Sequence, residues 1–228
     1  MPRSAPPGTP ATAIALAERA VAITDAFLAL ECAAFAIAIA RDHRGRRSPL
    51  RMPFVGFFGA TAVASGAGAI LHGLTSDRSD PRRRLLWRGS LGAIGVAAFA
   101  SWLLALRLVI RGPIRGRLER LVAAAHAPYF GLVVATDQPY RTAVAWYVPG
   151  AATLGLALAT RLRDPDDRPP VAAALAGLGV TFAAAVVQTR RIGVGARFDH
   201  NALYHSLQAG GVALFHLAAR GFLGRRSA

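Results

Sequence analysis

The sequence predicts an all-α fold: an integral membrane bundle of seven transmembrane helices. Three observations carry that expectation. Of the 228 residues, 54% are hydrophobic and 17% charged. The apolar residues are gathered into long blocks, and a bilayer crossing needs roughly 20 such residues in succession. Arginine, which supplies all 27 basic side chains, stands mostly between the blocks, as topogenic loop residues do. A short Pro-rich tail (1–16), one seven-helix transmembrane domain (17–222) and a basic tail (223–228) follow from that pattern.

The first span, 17–40, contains Glu18, Asp25 and Glu31 and has no clear small-residue cleavage site, so it reads as a retained span rather than a signal peptide. The second, 53–74, ends in Ala-Ile-Leu-His72-Gly, and its Gly66-Ala-Gly68 lets a neighbouring helix approach closely. The third runs over 86–110, with Trp87 near its start. The fourth and fifth, 119–136 and 142–161, carry Pro128 and Pro149, tolerable where neighbouring helices re-satisfy the backbone. The sixth covers 170–188. The seventh, 201–222, opens on Asp199-His200-Asn201-Ala-Leu-Tyr204-His205.

The net charge of +15 invites a nucleic-acid reading, but the arginines separate apolar blocks instead of clustering on a soluble face, so no nucleic acid is expected. The expected partner is the lipid bilayer. The one cysteine, Cys32, excludes an intrachain disulfide and any multi-cysteine zinc site, and reads as a small buried hydrophobe. With the amino terminus outside, the inner segments 41–51, 111–120, 161–168 and 220–228 hold 15 arginines and the outer segments 10. The positive-inside rule then places the protein in the cytoplasmic membrane, amino terminus outside and carboxyl terminus cytoplasmic.

Ionisable groups inside spans are expensive in hydrocarbon and mark functional sites by default. That topology puts His72, at the end of the second span, and His200, Asn201 and His205, at the start of the seventh, near the outer face at comparable depth. Asn201 and His205 are four apart and share a helical face. Imidazole suits zinc, and three protein ligands plus water leave the open position that catalysis requires. The candidate metal ligands are therefore His72, His200, Asn201 and His205, with Zn2+ as the cofactor. Asp25, in the outer half of the first span, Asp77 and Ser65 are the candidate assisting groups, and Asp199 or Asp77 would orient an imidazole. The bland alternative is that each histidine satisfies a neighbouring group in the bundle.

Seven spans, a Ser and His in the second, and a His-bearing motif opening the seventh resemble the alkaline ceramidase and progestin and adipoQ receptor (CREST) superfamily. The string Asp-His-Asn-Ala-Leu-Tyr-His, together with Thr24-Asp25, also looks like small bacterial seven-helix proteins near that superfamily. The resemblance implies zinc held by one histidine of the second helix and two of the seventh, with His72 and His205 at matching positions. Asn201 stands where the remaining histidine would be, and Ser65 lies seven residues before His72, where the superfamily pattern has three.

Two function classes follow. One is a zinc-dependent hydrolase of an amide or ester in a lipid-like small-molecule substrate. The other is a non-catalytic membrane sensor or assembly protein whose polar groups hydrogen-bond to one another, or a small transporter with Glu31, His126 and His216 along its path.

Overall fold

The computed structural model describes residues 11–43, 47–74, 81–195 and 198–224, with side chains from residue 18 onward. Among the described residues the chain is all-α, with seven helices: α1 (Ala11–Arg41), α2 (Arg51–Gly73), α3 (Pro81–Val109), α4 (Ile114–Ala135), α5 (Tyr140–Arg161), α6 (Arg168–Arg190) and α7 (His200–Leu223). Five of them are long and apolar enough to cross a membrane: α1 from Glu18 onward, α2, α3, α5 and α6. The other two are more polar. The first turns of α4 carry Arg115, Arg117, Glu119 and Arg120, and α7 carries His200, Asn201, His205, Gln208 and His216.

Two helices begin earlier than their apolar blocks. α3 starts at Pro81, a residue suited to a first helical position because its missing N–H needs no partner there. It therefore takes Arg82, Arg83 and Arg84 into its first turns. α4 likewise starts at Ile114 and carries its basic residues helically.

Neighbour relations define a ring. α1 packs on α2, α2 on α3, α3 on α5, α5 on α6, α6 on α7, and α7 returns to α1, while α4 stands outside the ring against α3. The core is aromatic between α2 and α7, where Phe57 and Phe215 lie 4.9 Å apart and Phe54 and Phe215 5.5 Å apart. A smaller cluster of Leu91, Tyr129, Val133 and Ala143 holds α4 to the bundle. There the Tyr129 hydroxyl donates to the Leu91 carbonyl at 2.7 Å.

Small residues set how closely the helices approach. A Cβ on Gly177 would lie 2.6 Å from the Gly211 carbonyl oxygen, so α6 and α7 touch backbone to backbone at that crossing. Arginines tie the helix ends. Arg51 donates to the carbonyls of Ile39 and Ala40, the unsatisfied acceptors that close α1. Arg107 meets both carboxylate oxygens of Glu119, at 2.7 and 3.0 Å, and also donates to the Pro49 carbonyl.

Candidate functional site

The polar side chains of the apolar helices gather where α1, α2 and α7 meet, and α1 organises them. Glu18 and Asp25 are seven residues apart, two helical turns, and so lie on one face of α1. At the level of Glu18, the His72 Nδ1 of α2 lies 2.5 Å from Glu18 Oε2. At the level of Asp25, the His205 Nδ1 of α7 lies 3.2 Å from Asp25 Oδ1. Each of these two acids thus faces a histidine from a different helix.

The two pairs differ in burial. The side chains of Glu18 and His72 are 45% and 24% exposed, those of Asp25 and His205 3% and 15%. Asp25 reaches its depth because position 68 is glycine: a Cβ there would stand 2.5 Å from Asp25 Oδ2 and 3.0 Å from Cγ. The missing side chain of Gly68 is the space that the carboxylate occupies. Farther down the same seam, Gly66 faces Ala29.

The Asp25–His205 pair is close but out of line. Asp25 Oδ1 and His205 Nδ1 are buried, and neither completes a hydrogen bond. Buried polar atoms almost always have a partner, and an unsatisfied one costs about 1–3 kcal/mol. Such a misaligned pair is a feature to be accounted for, since a small rotation of the imidazole would satisfy both atoms.

Other polar groups surround it. His72 is close enough to act electrostatically on both Asp25 and His205. Tyr204, next to His205, holds its hydroxyl 3.2 Å from that of Tyr140 at the start of α5, and both phenols lie within electrostatic range of Asp25. Ser65 is buried on α2, three residues from Gly68 and seven from His72, on the stripe that faces α1.

The expected zinc ligands do not form a set. His72 is four residues beyond Gly68, about one turn or ~6 Å of rise from the level of Asp25 and His205. Asn201 is engaged elsewhere: its Oδ1 accepts from Gln188 Nε2 of α6 at 3.4 Å, and its amide donates to Asp199 at 3.5 Å. Asp199 caps α7, accepting from the backbone N–H groups of Asn201 and Ala202 at 2.9 and 3.0 Å, the ordinary task of an aspartate at that position. His200 Nδ1 is 3.9 Å from the same carboxylate, with its side chain 30% exposed. Among the described residues, no group of three His, Cys, Asp or Glu side chains converges as a metal requires. Asp77 lies outside the described residues.

The remaining histidines separate from this site. His126 Nδ1 donates to the Val122 carbonyl at 2.8 Å, whereas Pro128 frees the carbonyl of Ala124, so it does not heal the proline's missing bond. His216 stacks on Phe35 with ring centroids 4.0 Å apart. Glu18, Gly68, Tyr140 and Tyr204 are the site's additions to the sequence expectation. The seven-residue step from Glu18 to Asp25 is the signal that pointed to the first of them.

Residues 20–223 match the Family of unknown function (DUF6962), and the chain belongs to that family. No curated protein and no solved structure matches the chain.

Proposed function

We propose that this DUF6962 member is an integral protein of the cytoplasmic membrane with all seven helices in the bilayer, its amino terminus outside and its carboxyl terminus cytoplasmic. The arginine asymmetry supports the orientation. The pairing of both ends of α7 with the apolar ring supports placing that helix in the bilayer despite its polar residues. Single cysteines at positions 136 and 48, in a Cys32→Ala background, test it. An impermeant maleimide on intact cells labels position 136 and spares position 48, and the reverse pattern refutes the orientation.

Within that frame the chain acts as a non-catalytic membrane sensor, in which proton or ligand occupancy of the Asp25–His205 pair changes how α1 is held against α2 and α7. One observation carries this reading: two buried, mutually facing atoms at 3.2 Å, Asp25 Oδ1 and His205 Nδ1, neither hydrogen-bonded. A proton or ligand shared between the two facing atoms would change their contact and, through it, the seating of α1. Hydrogen exchange of the α1, α2 and α7 amides tests it. Protection in the parent changes with pH, and the Asp25→Asn/His205→Gln variant shows no change. A parent with pH-independent protection sinks the proposal.

A zinc-dependent hydrolase of a lipid-like amide or ester is the second reading. The buried Asp25–His205 pair also favours it, because a carboxylate beside an imidazole orients a catalytic base. The side chains pair two by two rather than meeting at one point. Stoichiometric zinc in the purified parent, lost in both His72→Ala and His205→Ala, would replace the sensor by the hydrolase.

A further inference from the structure

A second feature lies away from α1, on the side of the bundle where α4 stands outside the ring. Pro128 in α4 and Pro149 in α5 each remove a backbone hydrogen bond, and the two helices diverge around an open-sided cleft of about 610 Å3. Its walls are mostly apolar, formed by Pro128, Tyr129 and Leu132 of α4 and by Ala145 and Trp146 of α5. Trp146 stacks on the buried Tyr129 at 5.2 Å and backs the cleft. The volume lies within the usual range of small-molecule sites.

The cleft has one charged group, Arg141, at the start of α5. Its neighbours Arg84 and Arg88 share a single carboxylate, that of Asp137, at 3.3 and 3.0 Å. Arg141 is exposed and, among the described residues, has no carboxylate within ion-pair distance. An apolar trough that opens sideways from a membrane helix, with a single uncompensated guanidinium where that helix ends, matches a molecule with a long apolar tail and an anionic head.

We infer that the α4/α5 cleft binds one bilayer lipid with an anionic phosphodiester headgroup, its acyl chain lying along Leu132, Ala145 and Trp146 and its phosphate on Arg141. Guanidinium and phosphate form paired, charge-assisted hydrogen bonds. The site is separate from the Asp25–His205 pair and does not depend on what that pair does.

The test is native mass spectrometry of the purified full chain in detergent, titrated with phosphatidylglycerol or with phosphatidylcholine of the same chains. The parent retains one lipid and prefers phosphatidylglycerol by about fivefold, the contribution of one basic residue near an anionic lipid surface. Arg141→Gln brings the two lipids to parity. Arg190→Gln, an exposed arginine at the same end of the bundle, leaves the preference unchanged. Ala145→Phe, which fills the cleft, abolishes retention of both lipids. Equal retention of the two lipids by the parent overturns the assignment, as does a preference that survives Arg141→Gln. A chain that dimerises through this face without retaining lipid also overturns it. If Ala145→Phe fails to fold, the Arg141→Gln comparison still decides.

Discussion

Substituting Asp25→Asn and His205→Gln, singly and together, measures what the buried pair contributes. Asp25 is 2% exposed, so whatever charge or dipole remains there after His205 is removed has no water to solvate it. Truncating one member of a buried ion pair costs about 3–5 kcal/mol in soluble proteins, chiefly through the stranded partner. Polar contacts between helices in lipid contribute less, about 0.6 kcal/mol on average and ~1.7 at most. The pair is 3.2 Å apart but out of hydrogen-bond line, so its direct attraction belongs to the lower range and the stranded partner dominates. Each single variant is therefore expected to lose about 2–3 kcal/mol. The double variant, which strands nothing, is expected to lose no more than the costlier single, a coupling of at least about 2 kcal/mol. Reversible unfolding in mixed micelles titrated with a denaturing detergent reads all four states. Losses that add within about 0.5 kcal/mol would refute the pairing argument, since independent sites behave that way.

Three further outcomes follow from the same geometry. Gly68→Ala places a methyl group 2.5 Å from the Asp25 carboxylate. It is expected to cost about 1–3 kcal/mol by overpacking, whereas Gly59→Ala, with nothing within 4 Å of its Cβ, is neutral or slightly stabilising; the same micelle titration compares them. Glu18→Gln breaks a pair whose acid is 45% exposed, and its cost is expected to stay below about 1 kcal/mol, well under that of Asp25→Asn. Arg107→Lys loses the two-pronged contact with Glu119 and weakens the tie between α3, α4 and the Pro49 carbonyl. A thermal midpoint lowered by Arg107→Lys but not by Arg117→Lys checks that contact, and equal midpoints would contradict it.

The helices were legible because their apolar runs are long and arginine marks the ends of those runs. What the sequence hid at those ends is that the arginines of 82–84 and 115–120 continue the helices rather than linking them, since a helix obeys no membrane boundary. Which residues face each other was only half legible. The seven-residue step from Glu18 to Asp25 declares a shared face, but which helices stand opposite depends on the ring order, with α4 left outside and α7 closing on α1. For that reason Asp199 read as a site residue when it is α7's cap, and Asn201 read as a ligand although Gln188 of α6 holds it. The meeting of Tyr140 and Tyr204 required knowing that α5 and α7 begin at the same end of the bundle.

The ring closes between its first and last members. Asp25 belongs to α1, while the imidazole 3.2 Å from it, His205, belongs to α7, 180 residues later. Synthesis delivers the amino-terminal segments first, so the carboxylate is made long before the imidazole that it faces. Completion of the chain is thus coupled to completion of its most deeply buried acid–base pair.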